Sequence, residues 1–360
     1  MTLDLIQLLR LVVERGGSDL HLCAGSAPMV RRHGVLVPLT DTFLNAENCR
    51  ELVYSIFTES QRARFEENWE LDFAVMVKGL GRFRSNAHYS RGVVEGTFRH
   101  IPDAVPNLGS LGLPPVVRRL CALEQGLILV TGITGSGKTT TLAAMVEEIN
   151  LSRAGLIVSI EDPIEYLFTH KLSRIKQREI GSDTKSFAAA LRHVLRQDPD
   201  VILISEMRDL ETMSAAITAA ETGHLVLATL HTIDAPKAID RLVDAFPADQ
   251  QSQIVAQLAN SLQAVIAQRL LPRADGAGRV ACTEVMVVND AIRSCLRDRR
   301  FQQLIGLIQI GSREGMRTFE ESAAELYAAG LITREEALVN SRDEDRLDNL
   351  PYPARAYGPQ

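Results

Sequence analysis

Apolar and polar positions follow two different regimes along the chain, and the change falls near residue 101. Leu5, Leu8, Leu9 and Val12 recur at helical spacing behind Thr2, which stands where an N-cap would. The first fifteen residues therefore read as an amphipathic helix with one buried face, in preference to a helix lying on a membrane surface. Segments 48–57 and 59–67 also read as helices. Segments 71–77, 83–89 and 93–99 read as strands, with glycine turns at Gly79, Gly81 and Gly92. Residues 101–115 are rich in proline and glycine and lack periodicity, which marks a linker. From about 117, short apolar runs alternate with helical stretches, the pattern of a parallel sheet covered by helices. From about 250 the reading is mostly helical. Residues 341–360 are polar and contain proline, and are expected to be disordered. The expectation is an α/β chain with an N-terminal domain over 1–101, a linker over 102–116 and a second domain over 117–340.

Composition narrows the class only modestly. A chain of 360 residues with 46% apolar and 23% charged residues is an ordinary globular protein with room for two cores. The net charge of −6 gives no global argument for nucleic acid. No apolar run approaches the length of a membrane span, and the first fifteen residues lack the layout of a signal peptide. Cys23, Cys49, Cys121, Cys282 and Cys295 are scattered without a C-x-x-C pair, so neither a zinc site nor a disulfide framework is indicated. That usage fits a reducing, cytoplasmic setting.

The chemistry begins at Gly132-Ile133-Thr134-Gly135-Ser136-Gly137-Lys138-Thr139-Thr140, which fits the phosphate-loop pattern without a mismatch. An apolar run at 127–130 precedes it and a helical stretch from Thr140 to Asn150 follows. Strand, glycine loop and helix form the geometry that brings backbone N–H groups and a helix N-terminus to phosphates. Lys138 is placed to reach the β- and γ-phosphates of ATP, and the Thr139 hydroxyl to ligate Mg²⁺.

Three further apolar runs end in polar residues. Run 156–160 ends in Glu161-Asp162-Pro163, run 201–204 in Ser205-Glu206-Met207-Arg208-Asp209, and run 225–230 in His231-Thr232. Ligands of open parallel sheets bind at the carboxyl ends of the strands, so these residues should gather around one nucleotide. Phosphoryl transfer to water needs a metal held on the phosphates, a carboxylate for the water, and positive charge on the transferring group. Glu206 fits a Walker B-type acid reaching Mg²⁺ directly or through water. Glu161 fits the water-activating position, and His231 a sensor of the γ-phosphate.

Arg82, Arg84, Asn86 and His88 share one face of the strand at 83–89, opposite Phe83, Ala87 and Tyr89. Two readings stand: a solvated strand face, or an arginine clamp on a γ-phosphate that Arg99 joins.

These motifs together resemble the type IV pilus retraction motors, the PilT-like branch of the secretion ATPase superfamily, over roughly residues 3–340. Ser18-Asp19-Leu20-His21-Leu22 resembles that family's N-terminal signature, and Ile160-Glu161-Asp162-Pro163-Ile164-Glu165 its Asp box. Asp198-Pro199-Asp200 through Glu206-Met207-Arg208-Asp209 resembles its Walker B region, and Glu221-Thr222-Gly223-His224 through Thr229-Leu230-His231-Thr232 its His box. The resemblance implies a PAS-like N-terminal domain followed by a RecA-like ATPase domain with a helical C-terminal portion. It implies a homohexameric ring in which Arg82, Arg84 and Arg99 complete the nucleotide site. It also implies ATP-driven pilus depolymerisation at the inner membrane, with a platform protein there and other pilus ATPases as partners. Ser205 departs from the family's usual glycine. Ser294, Cys295, Leu296 and Asp298 depart from a C-terminal motif, here 291–298, that the family needs for retraction and not for hydrolysis.

Extension and secretion relatives usually add a long N-terminal region and a four-cysteine zinc module, and this sequence has neither. The Leu230-His231-Thr232 sequence favours the main retraction motor over an accessory retraction ATPase. A small-molecule kinase would need an acceptor pocket and an arginine-rich lid, yet the segment after Glu206 offers only Arg208. A non-hydrolysing scaffold would lack a catalytic acid, and both are present.

Overall fold

The computed structural model describes residues 4–32, 35–101 and 105–340. The expected tail over 341–360 lies outside them. The chain divides into two compact units: Met1–Ala104 with Glu165–Leu167, and Val105–Ile164 with Phe168–Gln360. The boundary falls within the stretch read as a linker. From Val105 that stretch belongs to the second unit, and Leu108 is buried among its residues.

Six antiparallel strands form the sheet of the first unit: β1 (Asp19–Leu22), β2 (Met29–Arg32), β3 (Val35–Pro38), β4 (Glu70–Val77), β5 (Gly81–Ser90) and β6 (Val93–Ile101), in the order β3-β2-β1-β6-β5-β4. The first three, of four residues each, are too short for an alternation to be read from sequence. Helix Leu5–Glu14 buries the expected Leu5, Leu8, Leu9 and Val12. Its cap is Asp4, whose carboxylate accepts from the Gln7 N–H; Thr2 lies outside the described residues. Helix Ala46–Tyr54 and helix Glu59–Asn68, the latter with a Thr58–Gln61 capping box, help enclose the core around Phe65, Phe83 and Phe98.

The second unit holds β7 (Gly126–Thr131), β8 (Leu156–Glu161), β9 (Arg174–Glu179), β10 (Val201–Ile204), β11 (Leu225–Leu230), β12 (Leu262–Pro272) and β13 (Arg279–Val287), in the order β13-β12-β7-β11-β10-β8-β9. All neighbours are parallel except β13, which returns antiparallel along β12. Helices Phe187–Val194, Leu210–Glu221, Ala235–Asp244 and Gln251–Ser261 pack on one face. Helices Val116–Cys121 and Lys138–Ser152 pack on the other. Strands β7, β10 and β11 are therefore buried on both faces and read as unbroken apolar runs.

The mostly helical reading beyond about 250 is corrected here. Strands β12 and β13 carry eleven and nine residues, and helices predominate only from Asp290 onward. The run Leu262–Leu271 is apolar with isolated polar residues, a composition that period alone does not assign. Strand β9 also escaped the pattern, because four of its six residues carry charge.

Glu284 of β13 is buried, and its carboxylate accepts from the N–H of Ala235 (2.9 Å) at the start of helix Ala235–Asp244. Burial pushes its carboxyl up to about 7, against the opposing pull of that hydrogen bond. The folded chain thus holds a proton that the unfolded chain releases near 4.5. Its contribution is complete below that value and is lost as pH rises through about 7. Glu284→Gln keeps the acceptor and removes the charge. Thermal unfolding should show the variant more stable than the parent at about pH 8 and level with it at about pH 4. An unchanged pH slope would contradict the assignment.

Candidate active site

β7 ends at Thr131, and Lys138 and Thr139 open the next helix, so the phosphate loop spans a strand end and a helix start. Its backbone favours glycine, most strongly at two points. Gly132 has φ 148°, and a Cβ there would lie 2.4 Å from both the Gln268 carbonyl oxygen and Ser136 Oγ. Gly137 has φ 91°, and its Cβ would lie 2.6 Å from Gln268 Nε2. Ile133, Thr134 and Gly135 form the exposed tip, while Thr139 and Thr140 are half-buried.

Lys138 is buried, and its Nζ donates to the carbonyls of Gly132 (2.8 Å) and Ile133 (3.0 Å). The ammonium therefore sits inside the loop it serves. Ser136 Oγ is buried without a hydrogen-bond partner among the described residues, which is a place for a ligand oxygen. A phosphate chain fits this donor set.

The three other strand ends arrive at the same edge. Glu161, the last residue of β8, is buried; its Oε1 accepts from Ser159 Oγ (2.6 Å) and Gln177 Nε2 (3.0 Å). Ser205 Oγ accepts from the Asp162 N–H (3.3 Å), tying the β8 and β10 ends together. Ser205 is absent from the positive-φ residues, so its backbone does not call for glycine. Thr229 Oγ1 donates to the Ser205 carbonyl, and the Met207 N–H to the Thr229 carbonyl (3.2 Å), which locks β11 to the same loop.

Glu206 Oε1 lies 3.0 Å from His231 Nε2 and accepts from Arg208 Nε. Burial lowers the His231 pKa, and the charges of Lys138 and Arg208 add to this against the pull of Glu206. The imidazole is thus neutral at neutral pH, and the nitrogen facing Glu206 is its N–H donor. Glu206 and Thr139 offer hard oxygen ligands. Among the described residues no group of His, Cys, Asp or Glu forms an all-protein metal cage. That suits Mg²⁺, which is commonly held by one or two protein oxygens together with substrate phosphates.

A cavity of about 340 Å³ adjoins the loop, lined by Gly137, Thr140, Thr141, Gln268, Arg273 and Arg279 among others. Gln268 Oε1 accepts from Thr141 Oγ1 (2.7 Å), and Arg273 forms a fork with Asp275. Sequence reasoning missed this wall because it comes from the β12–β13 hairpin, where a helix was expected. Nothing in the spacing of those residues marks them.

Arg82, Arg84 and Arg99 lie in the first unit. Arg84 and Arg99 are direct partners across β5 and β6, and Asp19 partners Arg99 from β1. Arg99 Nε donates to the buried Asp19 carboxylate (2.7 Å). Burial tends to raise the Asp19 pKa, but hydrogen bonds from Ser18 and Arg99 outweigh it and hold the carboxyl low. Arg84 is exposed and lies 3.9 Å from Glu165 of the same unit. Each of the two guanidinium groups therefore has a carboxylate of its own unit beside it, Asp19 at Arg99 and Glu165 at Arg84.

A family model described as Type II/IV secretion system protein matches residues 114–339. The chain is 45% identical to the type IV pilus retraction ATPase PilT of Pseudomonas aeruginosa, over 93% of this chain and 97% of that one. It is 43% identical to the type IV pilus ATPase PilU of the same organism, over 95% of this chain and 89% of that one. The crystal structure of the pilus retraction motor PilT with bound ADP superposes with a TM-score of 0.90 at 46% identity, covering 96% of this chain and 99% of that chain.

Gly137→Ala is expected to weaken binding of a fluorescent ATP analogue by about 10- to 100-fold, from a clash and backbone strain of about 1–3 kcal/mol. Gly79→Ala, at φ 79° with open space around the new Cβ, is the matched control and should bind normally. Equal affinities for the two variants would contradict the loop's assignment.

Proposed function

The chain belongs to the Type II/IV secretion system protein family, and from that membership and the site's geometry we propose that it is an ATPase motor powering type IV pilus retraction. The observation that carries this reading is the convergence of a complete phosphate loop with Glu161, Glu206 and His231 at the carboxyl edge of one parallel sheet. ATP places its nucleoside in the cavity beside Gly137 and its phosphates in the loop. Lys138 leaves the loop carbonyls for the β- and γ-phosphate oxygens. Thr139 and Glu206 hold Mg²⁺, which when bound neutralises charge on those oxygens.

Glu161 orients a water and accepts its proton. The water oxygen bonds to the γ-phosphorus as the bond to the β–γ bridging oxygen breaks, giving ADP and phosphate. Neutral His231 donates to Glu206 in the resting site and is within reach of the transferring group once nucleotide enters. Arg82, Arg84 and Arg99 supply positive charge to the γ-phosphate of a neighbouring subunit, which makes the active species a homohexameric ring. The ring works in the cytoplasm against a platform protein of the inner membrane. The chain is nearly as similar to the type IV pilus ATPase PilU as to PilT, and an accessory retraction ATPase is the second reading.

Mg²⁺-dependent phosphate release, measured against protein concentration with Glu206→Gln as blank, tests the reading. Specific activity should rise with concentration and saturate, and Arg84→Ala should lower the plateau by about 10³-fold, as for other loss of a transition-state arginine. Flat specific activity down to monomer concentrations would sink the shared site. No turnover above the blank would move the assignment to a scaffold. Loss of twitching on deletion of this gene alone separates the main motor from the accessory one.

A further inference from the structure

Strand β9 lies at the edge of the second sheet, carries charge at four of its six positions, and has no part in the mechanism above. Its pairing with β8 is parallel and in register: Ile157 opposite Ile175, Ser159 opposite Gln177, Glu161 opposite Glu179. Partners in such a ladder share a face, so Gln177 and Glu179 stand on the side that carries Ser159 and Glu161, while Lys176 and Arg178 point the other way.

Gln177 uses both ends of its amide. Its Nε2 donates to Glu161 Oε1 (3.0 Å), and its Oε1 accepts from the Phe168 N–H (3.0 Å). The second bond fixes which end of the amide faces the carboxylate. Ser159 Oγ donates to the same Glu161 oxygen from two residues back along β8 (2.6 Å). Two residues farther along β9, Glu179 accepts from the Ile164 N–H (3.0 Å), so the loop leaving Glu161 is anchored to the same strand. Helix Lys138–Ser152 packs over this face. Its nearby charges are already engaged: Lys138 with loop carbonyls, Glu147 with Lys171, and Glu148 with Arg118.

We propose that Gln177 is a positioning residue for ATP hydrolysis, holding the Glu161 carboxylate in the orientation that receives the proton of the attacking water. The inference rests on the reading of Glu161 as the water-activating acid. A carboxylate at the end of a two-methylene side chain has several rotamers, and a water-activating group must hold one of them. The amide of Gln177, braced by a backbone N–H, selects it. No charge enters the site in doing so.

Two substitutions separate positioning from folding. Gln177→Leu removes donor and acceptor. It should lower kcat by about 10- to 100-fold, while KM and the affinity for a fluorescent ATP analogue stay within about twofold. Gln177→Glu keeps the acceptor for Phe168 but turns a like charge toward Glu161. Carboxylates at hydrogen-bond distance share a proton, so the acid limb of the kcat–pH profile should move up by about one unit. A purely structural role would not move that limb.

Glu161→Gln serves as reference. If it hydrolyses ATP at the parent rate, the reading of Glu161 fails and takes this inference with it. If it is inactive while both Gln177 variants keep the parent kcat and pH profile, the inference alone is overturned. A Gln177→Leu loss that tracks a loss of nucleotide affinity would overturn it as well.

Discussion

Parallel pairing imposes the constraint on which the candidate site depends. Six strands from β12 to β9 run the same way, so every one of them delivers its following loop to a single edge. A phosphate loop, two acids and a histidine spread over a hundred residues of sequence thereby become neighbours without any local signal drawing them together. The sheet can hold that arrangement because its central strands are buried on both faces. The polar residues appear only where the apolar runs stop.

The edge is then knitted by short hydrogen bonds between loops. Ser205 takes a bond from Asp162 and its carbonyl takes one from Thr229. Glu206 sits between His231 and Arg208. This network places positive, neutral and negative groups at the same sheet edge from which the glycine loop leaves β7. Burial, helped by the charges of Lys138 and Arg208, keeps His231 uncharged, so the histidine can serve as a hydrogen-bond donor without adding another cation. The same economy shows at Glu161, where the donors Ser159 and Gln177 are both neutral.

Much of this was legible in the sequence, and the parts that were not share a physical cause. The phosphate loop, Glu161, Glu206 and His231 stand directly after apolar runs, and a run that ends abruptly in a charged residue is visible without coordinates. Helix Leu5–Glu14 and strands β4, β5 and β6 were readable because one face of each is apolar at a fixed period. Strand β9 was not, because an edge strand needs only every second residue for the sheet and can carry charge on the rest. The β12–β13 hairpin was misread because a long apolar stretch suits a helix or a strand equally. Its misreading hid the cavity wall of Gln268, Arg273 and Arg279. Pairing across a sheet, as between Ser159 and Gln177 or Arg84 and Arg99, is a long-range fact that spacing along one strand does not contain.

A structure with a non-hydrolysable ATP analogue and Mg²⁺ tests the account most directly. The account predicts the nucleoside in the cavity bounded by Gly137, Gln268 and Arg279, the metal on Thr139 and Glu206, and a water between Glu161 and the γ-phosphate in line with the bridging oxygen. Phosphates seated in the loop with Glu161 turned away from the γ-phosphate and Glu206 remote from the metal would contradict it.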